Sequence, residues 1–109
     1  MQIIIKDKVY QLEIKSLVGT NYRKATLAEV KDNDSDLAYA YAALYNDYRG
    51  KLDFSFDDFM FDITDEVALE ITRFLKKRVQ EVSESFVKQV EGKKGKNAVP
   101  SQSGNSTSE

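Results

Sequence analysis

The chain has 109 residues, 41% of them hydrophobic, and carries 16 Lys and Arg against 18 Asp and Glu, a formal net charge of −2. That length holds one domain with its own core and leaves no room for a second. It contains neither cysteine nor histidine, which excludes disulfides, thiolate metal sites, cysteine nucleophiles, and the commonest general base and transition-metal ligand; a non-enzymatic protein without cofactor or metal is the expectation.

Gln2–Ile5 and Val9–Ile14 are rich in β-branched and aromatic residues and flank the polar stretch Lys6-Asp7-Lys8, a pattern that predicts a β-hairpin. Tyr10, Leu12 and Ile14 alternate with Gln11 and Glu13, so one face of the second strand is expected to be buried. A lone hairpin is marginal in water, and that face must pack on helices. The apolar run Ile3-Ile4-Ile5 is broken at Lys6, unlike a signal peptide, and nothing approaches the roughly 20 apolar residues of a membrane span. A soluble, intracellular protein with no membrane partner is expected.

Gly19-Thr20-Asn21 reads as a turn, after which Tyr22–Lys31 is predicted to form a short helix burying Leu27 and Val30. The polar loop from Asp32 to Asp36 supplies N-caps for a second helix. Its apolar positions Leu37, Tyr41, Leu44, Tyr45 and Tyr48 make one stripe that ends near Gly50. Ala38, Ala40, Ala42 and Ala43 favour helix and let a neighbour approach closely. A third helix is predicted over Phe56–Asp62, capped by Ser55 with Asp58 three residues on. Thr64 followed by Asp65 and Glu66 opens the longest element, predicted from Asp65 to about Glu91. Along it Ile71, Leu75, Val79, Val82, Phe86 and Val90 recur every three or four residues. At 1.5 Å per residue such a helix is roughly 40 Å long, more than a small domain's core covers, so its C-terminal half is expected to project or to find a partner.

From Gly92 the composition turns to Gly, Ser, Lys, Asn and Gln with a single Pro100, too polar to offset the entropy of ordering. The expected organisation is therefore one folded domain over residues 1–91 and a flexible tail over 92–109. The fold class is α+β, mainly α: an N-terminal β-hairpin packed on a small helical bundle, one long C-terminal helix and a disordered tail. Setting aside Lys93, Lys94, Lys96 and Glu109 of the tail leaves 13 basic and 17 acidic side chains in the body. That balance argues against nucleic acid, whose binding rests on clustered Lys and Arg.

Four groups of residues invite a functional reading beside a structural one. Asp53, Asp57, Asp58, Asp62, Asp65 and Glu66 could hold a hard cation, but their spacing is not that of an EF-hand loop, and capping of two helix starts accounts for them. Phe54, Phe56, Phe59 and Phe61 suit a core, or a groove for an apolar partner helix with the carboxylates as its polar rim. Tyr39 lies off the stripe of Tyr41, Tyr45 and Tyr48 and could be a contact residue. Val79 to Val90 suits helix-on-helix packing, within the chain or between copies. The basic Arg73, Lys76, Lys77 and Arg78 read as a solvated helix face.

The order of these elements, from the hairpin Ile3–Ile14 through the Tyr-rich helix to Phe54-Ser55-Phe56-Asp57-Asp58-Phe59 and the long helix with its Gly/Lys tail, resembles the tail assembly chaperones of long-tailed, siphovirus-type bacteriophages. The resemblance covers nearly the whole chain and is one of size, order and character rather than of an invariant motif. It implies a viral protein of the bacterial host cytoplasm that coats the helical tape-measure protein before the tail tube forms and is absent from the finished virion. It also implies a ribosomal frameshift product with a longer C-terminus, and Gly92-Lys93-Lys94 and Gly95-Lys96-Asn97 could both be encoded by A-rich slippery heptamers. Under this reading the partner-binding residues are Phe56, Phe59, Met60 and Phe61 with the exposed faces of Tyr39, Val82 and Phe86, and weak repeated contacts act together. Self-association is a further expectation. The competing reading is a small acidic phage-encoded inhibitor or adaptor that blocks a basic site on a host protein, and a third is a metal-dependent enzyme built on the acidic group.

Overall fold

The computed structural model describes residues 1–49 and 51–97, with side chains through residue 89. Its elements run β1 Gln2–Ile5, β2 Lys8–Gln11, α1 Leu17–Thr26, α2 Asp36–Tyr48, α3 Phe56–Asp62 and α4 Asp65–Asn97, an α+β arrangement dominated by helix. Contacts divide the chain after Arg78: Met1–Arg78 forms one compact unit and a second begins at Val79. The division thus falls within α4 rather than at Glu91. That helix continues through Gly92 to Asn97, and the rest of the expected tail, residues 98–109, lies outside the described residues.

In the first unit β1 and β2 pair antiparallel from Gln2↔Gln11 to Ile5↔Lys8. This leaves a loop of Lys6 and Asp7 alone, both at positive φ (52° and 65°), the left-handed pair that matches the twist of a tight hairpin. The predicted polar turn is therefore one residue shorter, because Lys8 joins β2. Alternation sends Ile3, Ile5 and Tyr10 inward and Ile4 and Val9 outward. The ladder stops at Gln11, yet Leu12 and Ile14 stay buried. The Leu12 N–H donates to the Met1 carbonyl and the Met1 ammonium to the Leu12 carbonyl.

The first helix departs from expectation. Gly19, Thr20 and Asn21 lie inside α1, which starts at Leu17 because the Ser16 hydroxyl accepts the Gly19 N–H at 2.9 Å. A serine N-cap here outweighs the turn preference of Gly and Asn. Thr20, buried, donates its hydroxyl to the Ser16 carbonyl at 2.8 Å. The helix ends at Thr26, and the predicted Leu27 and Val30 are withdrawn from solvent from the turn that follows it.

Ser35 caps α2 and Arg49 closes it in the left-handed conformation. Six of its residues, Ala38, Ala40, Tyr41, Ala42, Ala43 and Leu44, are buried, more than one stripe supplies, because the alanines admit close neighbours on several sides. Tyr41 lies at the centre. Its ring is 6.0, 5.4 and 5.8 Å from those of Phe54, Phe56 and Phe59, and its hydroxyl donates to the Phe54 carbonyl at 3.1 Å. Phe54 in turn meets Tyr10 of the hairpin edge-on at 5.0 Å, and Tyr10 meets Tyr48 at 5.3 Å. Such edge-to-face pairs add to the gain from burial. Ile71 and Leu75 of α4 complete the core, and the Arg78 Nε donates to the Ile14 carbonyl at 2.8 Å.

Burial pushes the Tyr41 phenol up to about 12, with the Glu29 carboxylate adding to the effect. A raised folded-state pKa contributes stability that is complete below the ordinary value of 10.0 and is lost as pH rises through the folded value. Alkaline denaturation followed by circular dichroism should show a loss of stability between those two values that Tyr41→Phe diminishes. At neutral pH the same substitution strips the Phe54 carbonyl of its donor and should cost about 1–3 kcal/mol in urea denaturation. Phe59→Ala, at the closed centre of the cluster, should cost about 3–5 kcal/mol.

Candidate functional site

The segment of α3 is placed by its carboxylates. Ser55 and Asp58 form a reciprocal capping box, which satisfies two of the helix's free amides. Asp58 also accepts from the Lys6 ammonium at 2.9 Å, and Asp62 at the far end accepts the Lys6 backbone N–H at 2.9 Å. Asp53 pairs with Lys8. The bond from Lys6, with the Ser55 N–H, holds the Asp58 carboxyl below its ordinary range, and the bond from Lys8 and its charge do the same for Asp53; Lys8 is raised in turn by Asp53. Glu29 accepts the Phe56 N–H at 2.7 Å. Half of the acidic group thus clasps the hairpin to α3. Among the described residues, no group of three or more acidic side chains could hold a metal ion.

With α3 held this way, helical spacing sorts its apolar residues. Phe56 and Phe59, three positions apart, share the inner face and are buried, Phe59 at 0% exposure. Both therefore leave the accessible contact surface to which they were assigned: they fill the core against Tyr41. Met60 and Phe61 point outward, and Phe61 is 90% exposed. Tyr39, also assigned to the surface, is half-buried, with its hydroxyl donating to the Leu17 carbonyl at 3.3 Å and its phenol raised by burial. That hydrogen bond ties α2 to α1.

In the second unit the stripe Val79, Val82 and Phe86 follows spacings of three and four. Val79, Phe86 and the neighbouring Val87 are exposed, Phe86 at 64%, and Val82 is half-buried. Two further exposed apolar pairs were not singled out in the sequence. Ile4 and Val9 are cross-strand partners on the outer face of the hairpin, and Val18 and Tyr22 lie one turn apart on α1. Period-two alternation with the correct two-residue loop would have found the first pair. Reading Ser16 as the cap would have found the second.

Among the described residues, no helix is long and apolar enough to cross a membrane. Comparison with protein-family models, with curated proteins and with solved structures finds no match to this chain.

The clasp carries a pH dependence of known sign. Asp53 and Asp58 are lowered, so their contribution is present above the ordinary value of 3.8 and is lost as pH falls through the folded values. The Lys6 amide resonance should then shift as the hairpin loosens from α3, and Asp58→Asn should move that transition toward neutral pH. Ser55→Ala removes one side of the capping box and should cost about 1 kcal/mol in thermal or urea denaturation.

Proposed function

We propose that this chain is a tail assembly chaperone of a long-tailed bacteriophage, which binds and solubilises the helical tape-measure protein in the host cytoplasm and is absent from the finished virion. The observation that carries the reading is the set of large apolar side chains left in solvent: Met60 and Phe61 on α3, and Val79 with Phe86 and Val87 two turns further along α4. Exposed apolar side chains of this size mark interaction surfaces when they recur on one helix. The overall order of elements, from hairpin to long helix, supports the same reading through its resemblance to that family.

The work such a protein performs is to cover apolar surface of a long helical rod while remaining soluble. Several exposed apolar points per copy, each weak, give avidity along a rod without a single tight contact. The net negative charge opposes association of the coated rods. The frameshifted longer form would extend from the stretch containing Gly92 to Asn97.

The acidic-decoy alternative draws less support, because Asp53, Asp58 and Asp62 are engaged by Lys6 and Lys8 of the same chain. Salt separates the two readings: an acidic decoy loses affinity steeply as ionic strength rises, and apolar contacts do not.

Co-expression with an apolar helical tape-measure fragment tests the proposal. The fragment should move from the insoluble to the soluble fraction, and Phe61→Ser or Phe86→Ser should reduce that recovery several-fold while leaving the circular dichroism spectrum unchanged, since both residues are exposed. A fragment no more soluble with the chain than without it, or recovery that both variants support equally, overturns the reading.

A further inference from the structure

A cavity of about 760 Å³ lies against α1 and α2, within the size range of small-ligand clefts. Its lining includes buried Thr20 and Ala43, and its charged lining is Lys15, Arg23 and Arg49 against Glu13 and Asp47. Lys15 stands 3.4 Å from Asp47 and 4.0 Å from Glu13, so both carboxylates face an ammonium, while the two guanidinium groups have no carboxylate partner among the described residues.

Arg23 is held in a defined plane. Its Nε donates to the Asn46 Oδ1 at 2.8 Å, the Asn46 amide donates in turn to the Gly19 carbonyl at 3.4 Å, and the guanidinium carbon lies 5.6 Å from the centre of the Tyr45 ring. Because the Nε edge is occupied by Asn46, the edge formed by the two terminal amino groups is the one left to recognise a ligand. A planar guanidinium presenting two parallel N–H groups matches the two oxygens of a carboxylate or phosphate. Fixing it in advance lowers the entropy lost on binding.

We propose that this cavity binds a small oxyanion, a carboxylate or phosphate group, through the terminal amino groups of Arg23 with Arg49 as the second cation. The site is separate from the exposed apolar positions, and the inference does not depend on what they bind.

The test is a nitrogen-15 NMR titration of the full chain at constant ionic strength, with inorganic phosphate in one arm and N-acetylglutamate amide in the other. In at least one arm, saturable shifts are expected at the Arg23 Nε–H, the Asn46 side-chain amide and the Gly19 amide. Saturation by phosphate alone identifies a free phosphate or phosphate ester as the source, and saturation by the glutamate derivative identifies a protein-borne carboxylate. Arg23→Gln should abolish saturation. Arg49→Gln, at an exposed helix end where folding is not at risk, should weaken it by about tenfold, the loss expected for one charge-assisted hydrogen bond. Shifts that stay linear in both arms, or saturation that the Arg49→Gln protein retains unchanged, overturn the proposal.

Discussion

The hydroxyl of Tyr41 donating to the Phe54 carbonyl is the contact on which the first unit depends. Phe54 lies in the irregular stretch between α2 and α3, where a buried carbonyl without a partner would be costly. One phenol satisfies that carbonyl and packs against Phe54, Phe56 and Phe59 at once. From there the aromatic chain runs through Phe54 to Tyr10 and so to the hairpin. A two-stranded hairpin with no third strand has little stability of its own, and this cluster, with the aliphatic residues around it, is what gives its inner face something to rest on. The alanines of α2 belong to the same solution, since bulkier residues there would hold the neighbouring elements away from the ring of Tyr41.

Much of this arrangement was legible because local signals and tertiary needs agree. Ser55 with Asp58, Thr64 before Asp65 and Glu66, and the alternation around Tyr10 each name their element in a few residues, and the structure places α3, the start of α4 and the hairpin accordingly. The start of the first helix is hidden in the sequence because Gly19-Thr20-Asn21 carries a turn composition while Ser16, the residue that decides the start, is an isolated polar position before Leu17. Composition does not separate the inner and outer faces of α3 either. Four phenylalanines in eight positions look alike in composition, and only the clasp between the hairpin and α3 determines which of them turn inward.

The long helix shows why periodicity alone does not locate a binding surface. Ile71 and Leu75 continue into Val79, Val82 and Phe86 at spacings of three or four, yet the first pair is buried within Met1–Arg78 and Val79 and Phe86 are exposed in the unit that follows. An apolar stripe records that a helix has a face suited to being covered. Whether the cover is the chain's own core or another molecule is decided by how many neighbours the rest of the sequence can supply.

The clasp that joins the hairpin to α3 has a consequence for the hairpin. Lys6 and Asp7 hold a left-handed backbone without glycine, a conformation that side chains disfavour, and the contacts that offset it come from Asp53, Asp58 and Asp62, some fifty residues later in the chain. The hairpin thus draws part of its support from contacts that close only once the helices have met.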